Sequence, residues 1–210
     1  MTDWIQAHYI EIIGAVTGLI FLYLEIKQNI WLWPVGIITS VLYIYIFFAT
    51  KFYADMSLQF YYLAVSVYGW WHWLYGARNG ESEELPIIRL KSGLAMVLLA
   101  VTVAIFVLLV YVLTNFTDSP VPYGDAFTTA LSITATWMLT RKILDMWWLW
   151  MLANAVSLGL YIYKGLYPTS VLFFFYFAMS IVGYLQWKKH YTSTSTSTST
   201  STSTLTSTSI

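Results

Sequence analysis

Apolar residues run in seven blocks along the chain, over residues 10–25, 31–50, 55–75, 93–114, 125–140, 145–163 and 167–187. Each approaches the roughly 20 residues that a helix needs to cross a bilayer core, the first and fifth being shorter. Polar residues and turn formers collect between the blocks, as at Asn29, Gly165 and Pro120-Val121-Pro122. The longest connection, 76–92, carries Gly76, Asn79, Gly80, Glu81, Glu83, Glu84 and Pro86. This pattern predicts seven membrane-crossing helices joined by short turns. From Thr192 onward the chain alternates Thr and Ser, which offers no apolar face to bury. Residues 192–210 are therefore expected to be a disordered tail, read as a sequence expansion rather than a functional stalk.

Composition turns the pattern into a class. Of the 210 residues, 59% are hydrophobic and only 10% charged, against about 25% charged in a soluble domain. The fold class expected is an all-α polytopic membrane protein, with the lipid bilayer as its solvent. Net charge is zero, which gives no reason to expect nucleic acid as a partner. The absence of cysteine removes disulfides, thiol nucleophiles and thiolate metal sites. Met1-Thr2-Asp3 is not a basic leader, so the first helix is read as retained, with 1–9 outside the membrane. Basic residues set the orientation. With the N-terminus outside, the inner connections hold Lys27, Arg78, Arg89, Lys91, Arg141, Lys142, Lys188 and Lys189, and the outer ones only Lys51 and Lys164. The expected topology is N-out and C-in.

The blocks also repeat. Tyr53, Tyr62, Ser66, Gly69 and Trp73 in the third have counterparts at identical spacing in the seventh: Tyr167, Tyr176, Ser180, Gly183 and Trp187. The second and sixth match less closely, Trp33 and Ser40 with Trp150 and Ser157, and Tyr43-Ile44-Tyr45 with Tyr161-Ile162-Tyr163. Two triplets, 10–75 and 125–187, separated by one helix over 93–114, would cross the membrane in the same direction. That is a parallel 3+1+3 repeat, with a substrate site expected between the halves. The 93–114 helix is Val/Leu-rich and reads as a linker without a site of its own.

Candidate chemistry is sparse. Candidate polar groups within the blocks include Thr39, Ser40, Gln59, Thr128, Thr129, Ser132, Thr134, Asn154 and Ser157. Ser and Thr hydroxyls are expected to bond back to their own helix. The amides of Gln59 and Asn154 need partners elsewhere, either neighbouring helices or a substrate. Trp147, Trp150 and Asn154 fall at i, i+3 and i+7, on one helix face. Two indoles and an amide suit a flat, cationic, hydrogen-bonding molecule. Trp137 lies deep in its block, whereas Trp4, Trp31, Trp70, Trp71, Trp73 and Trp187 lie near block ends and read as an interfacial belt. Glu11, Asp55, Asp125 and Asp145 stand at block starts, where the expected role is helix capping. No paired mid-membrane charges are evident, which favours uncoupled transport. His8, His72 and His190 lack metal-ligand spacing, no cofactor is implied, and no catalytic constellation is seen.

Several stretches together resemble the PnuC family of vitamin transporters. They are Trp147-x-x-Trp150-x-x-x-Asn154, Trp33-x-x-Gly36 with Ser40 and Tyr43, and the Ala54-Asp55 to Gln59 and Tyr62 segment. Tyr68-Gly69-Trp70-Trp71 and Tyr161-Ile162-Tyr163-Lys164-Gly165 add to the likeness, which spans about residues 10–189. The resemblance implies a seven-helix 3+1+3 carrier, SWEET-like in architecture, in a bacterial inner membrane. It implies uptake of nicotinamide riboside, or in some branches thiamine or riboflavin, by facilitated diffusion with cytoplasmic phosphorylation trapping the vitamin. Carried over by position, Trp147, Trp150 and Asn154 would line the site, with Gln59 opposite. Trp137 and Tyr62 are added on physical grounds. Residue pattern alone leaves open a membrane enzyme acting on lipid head groups, a non-transporting receptor, and self-association into a homo-oligomer.

Overall fold

The computed structural model describes residues 16–49, 53–76 and 85–207. They form seven helices: α1 (Val16–Ile26), α2 (Leu32–Ala49), α3 (Tyr53–Tyr75), α4 (Ser92–Phe116), α5 (Pro122–Thr140), α6 (Met146–Tyr163) and α7 (Tyr167–Ser207). No strand occurs among the described residues, which form a single isolated bridge between Ile88 and Ile143. The ends of α2 to α6 lie within a few residues of the apolar blocks. The first block's start, and Glu11, lie outside the described residues.

Helix α4 has no buried residue, as its uniformly apolar sequence requires of a helix facing lipid. Its mid-helix polar residue, Thr102, bonds back to the Leu98 carbonyl at 2.7 Å and meets the Thr134 hydroxyl of α5 at 2.7 Å. Helix α7 differs from expectation. It continues through the Thr/Ser alternation to Ser207 instead of ending near Trp187. At the start of that run Thr192 donates to the Lys188 carbonyl and Ser193 to that of Lys189, both at 3.0 Å. A helix closes its backbone hydrogen bonds within itself, which needs no apolar face.

Two tryptophans anchor the core. Trp33 of α2 is fully buried against Gly69 of α3, where a Cβ would overlap the indole ring. Trp147 of α6 is fully buried against Gly183 of α7 in the same way. Trp73 meets Trp33 edge-on with centroids 5.4 Å apart, and Trp187 meets Trp147 edge-on at 5.8 Å. Trp73 and Trp187 are thus core residues and not members of the interfacial belt. Their indole nitrogens donate across the molecule: Trp73 to the Leu139 carbonyl of α5 at 3.3 Å, and Trp187 to the Glu25 carbonyl of α1 at 3.1 Å. Exposed Trp31, Trp70 and Trp71 fit the belt reading.

Each of these features and its counterpart stand 114 residues apart, and so do two turn residues with left-handed backbone, Gln28 (φ 54°) and Lys142 (φ 48°). The contacts therefore match Trp33 with Trp147. The sequence match of Trp33 with Trp150 is corrected by this, because only Trp147 sits in a glycine notch.

The segment before α4 is fastened to the α5–α6 turn. Ile88 donates to the Lys142 carbonyl at 3.1 Å, and Leu144 donates to the Ile88 carbonyl at 2.9 Å. Asp145 makes no side-chain cap to α6. Its carboxylate instead accepts the Leu90 amide at 2.7 Å and pairs with Arg89 at 3.3 Å. Asp125 likewise reaches outside its helix, accepting the Ser119 hydroxyl at 2.6 Å and pairing with Lys164 at 3.3 Å. Asp145→Ala should cost about 1.5–3 kcal/mol, the range for a hydrogen bond to a charged group. The expected result is a lowered melting temperature in detergent, with faster proteolysis ahead of α4.

Candidate functional site

Hydroxyls sort themselves first. On α5, Thr128, Ser132, Thr134 and Thr136 all donate to carbonyls one turn earlier, at 2.7–3.1 Å. They are satisfied by their own helix. Two amides behave differently. Asn154 of α6, only 8% exposed, donates to the Ser180 hydroxyl of α7 at 3.1 Å, and Ser180 donates onward to the Tyr176 carbonyl at 2.7 Å. Among the described residues the Asn154 carbonyl oxygen accepts no hydrogen bond, and the Gln59 amide makes none.

These residues face two adjoining cavities. The first, about 260 Å³, is lined by Thr39, Ser40 and Tyr43 of α2, by Gln59, Tyr62 and Ser66 of α3, and by Thr136 of α5. The second, about 200 Å³, is lined by Glu25 of α1, Asn154, Tyr176 and Ser180. Gly18, Phe21 and Trp150 line both, so the Trp150 ring stands at their junction. Its indole nitrogen is buried and has no hydrogen-bond partner among the described residues. A side chain at Gly18 would meet the Tyr176 hydroxyl and push it aside. Together the spaces offer a ring face, two amides and several hydroxyls within an apolar wall, the composition of a small-molecule site.

Of the six residues that sequence suggests for the site, Trp150, Asn154, Gln59 and Tyr62 line these cavities. Trp147 lines neither, being closed in by Gly183 and Trp187. Trp137 faces a different hollow, of about 330 Å³, shared with Tyr61 of α3 and Leu94, Leu98 and Val101 of α4. The Arg141 guanidinium lies 5.6 Å from its ring centroid. Glu25, Tyr176 and Thr136 are lining residues that sequence reading did not single out. Glu25 is 3% exposed, although its place at the end of the first apolar block, two residues before Lys27, gives no sign of burial.

Seven helices of this apolarity around an internal cavity make the molecule a polytopic membrane protein with a small-molecule site. The chain belongs to the nicotinamide mononucleotide transporter family, whose model matches residues 8–189. It is 26% identical over 202 residues to the nicotinamide riboside transporter PnuC of Escherichia coli (strain K12), covering 85% of this chain and 84% of that one. The PnuC of Neisseria mucosa is 25% identical over 186 residues, covering 84% and 71%. The riboflavin/roseoflavin transporter RibM of Streptomyces davaonensis is 24% identical over 180 residues, covering 84% and 83%. Among solved structures, the crystal structure of the vitamin B3 transporter PnuC superposes with a TM-score of 0.67 at 23% identity, covering 88% and 83%. That likeness establishes the fold. The family and the relatives are transporters, so the chain is a membrane transporter and not an enzyme.

Proposed function

We propose that this protein takes up nicotinamide riboside across the bacterial inner membrane by facilitated diffusion, with thiamine as the alternative cargo. The observation that carries the reading is the convergence of Trp150, Asn154, Gln59 and Tyr62 on adjoining cavities between α1–α3 and α5–α7. Nicotinamide riboside joins a flat cationic ring to a hydroxylated sugar. An indole face attracts the ring's charge, while amides and hydroxyls take up the sugar. The common 114-residue spacing of the Trp–Gly contacts supports reading the two triplets as duplicated parallel halves, with α4 as linker. The eight-to-two distribution of basic residues supports an outer N-terminus and a cytoplasmic C-terminus. Uptake beyond equilibration by such a carrier then requires consumption of the free vitamin inside, which cytoplasmic phosphorylation would supply.

Isothermal titration of the purified chain with nicotinamide riboside, thiamine and riboflavin tests this. Micromolar binding of one of the two cations, with uptake into proteoliposomes above empty liposomes, is the expected result. Binding of neither cation overturns it. Binding of riboflavin alone would assign a neutral, larger ring instead, in line with the named cargo of the Streptomyces relative.

A further inference from the structure

Glu25 is the one carboxylic acid among the described residues that line these cavities; the Trp150 indole lies beside it, and no basic group there answers it. Glu25 is 3% exposed, its Oε1 is buried, and that atom has no hydrogen-bond partner among the described residues. It lines the second cavity beside Trp150 and Asn154, and among the described residues neither cavity is lined by a Lys, Arg or His. Burying a charged carboxylate without a partner is costly, so such a group either holds a proton or pairs with a cation that enters the cavity.

Internal comparison shows that the fold does not need the carboxylate. What position 25 contributes to packing is its backbone carbonyl, which accepts from Trp187. The counterpart 114 residues later contributes the same thing, its carbonyl accepting from Trp73, and that residue is Leu139. Leu139 is fully buried. An apolar side chain thus serves the structural role in one half, while the other half carries an acid pointing into a cavity.

We infer that Glu25 is the specificity-determining residue of the carrier, its carboxylate pairing with the positive charge of an aromatic cation held against Trp150. The inference rests on the proposed cargo class. It adds that charge, and not ring shape alone, selects the cargo. One carboxylate on one side of the junction also orients the ligand, ring toward α1 and hydroxyls toward Gln59 and the hydroxyl-rich wall of α2.

The test compares two probes of one skeleton on the full chain: nicotinamide riboside, with a cationic ring, and its dihydro form, with a neutral one. The wild-type protein is expected to prefer the cation by at least about thirtyfold, the low end of the loss when a buried charge is left unpaired. Glu25→Gln should abolish that preference by weakening the cation while leaving the dihydro form within about threefold. Glu25→Leu copies the residue of the other half and should fold at least as well as wild type. It should show the same lost preference. A preference that survives either variant overturns the inference, as does equal binding of both probes by the wild type. Failure of the wild type to bind nicotinamide riboside or thiamine at all would instead remove the cargo assignment itself.

Discussion

Trp150→Ala is expected to weaken nicotinamide riboside binding by about thirtyfold or more while leaving the protein folded. The Trp150 ring lines both cavities at their junction, and its nitrogen makes no bond that the fold depends on. A desolvated cation–π contact is worth about 2 kcal/mol, which converts to roughly thirtyfold in affinity. Loss of stacking on the indole adds to that. Titration calorimetry on the variant gives the affinity, and a melting curve in detergent shows whether the fold is kept. Trp150→Phe should recover part of the loss, because a smaller ring retains a π face but a weaker one. Unchanged affinity in the alanine variant would remove this ring from the site.

The same site shows how far sequence reasoning reaches. Hydrophobic periodicity is enough to locate the helices, since a bilayer leaves few alternatives for long apolar runs. Asn154 and Gln59 were legible because an amide in an apolar helix is rare and needs a partner. The division of labour between Trp147 and Trp150 was not legible. Helical spacing places them on one face, yet three residues of a helix still differ by about 60° around its axis. That angle is enough to send one ring toward α7 and the other toward the cavities. What decides it is Gly183, a residue on another helix whose missing side chain leaves a ring-sized notch. Trp187 and Trp73 failed as belt residues for a related reason. Proximity to a helix end says nothing of the carbonyl each indole finds across the bundle. Glu25 escaped notice because it lies one residue inside the end of α1 (Val16–Ile26), near Lys27, where an acid passes for a surface charge. Its burial is a tertiary fact. Trp137 was drawn into the site by depth alone, and depth does not tell one side of a helix from the other.

Trp147→Ala is the complementary experiment, and its expected effect falls on stability. The ring is fully buried between Gly183 and the edge of Trp187, so truncation leaves a cavity that a glycine cannot refill. Replacing a buried tryptophan by alanine costs about 3–5 kcal/mol when the surroundings cannot collapse. The variant should melt far below wild type or fail to accumulate in the membrane. Filling the notch from the other side should do the same, since a Cβ at Gly183 overlaps the indole ring. Gly183→Val is therefore expected to lose about 1–3 kcal/mol through overpacking. Trp147→Phe separates the two roles the residue could have. If Trp147 is an internal wedge, Trp147→Phe loses stability while the protein that remains folded binds nicotinamide riboside with nearly wild-type affinity. If it binds cargo directly, stability holds and affinity falls, as for Trp150. Because α6 carries both rings, a wedge at Trp147 also fixes the rotation of the helix and so the angle at which Trp150 enters the cavities. Loosening the wedge should then raise the variability of binding before it changes the contacts themselves. A Trp147→Phe variant with normal stability and lost affinity would return that ring to the site.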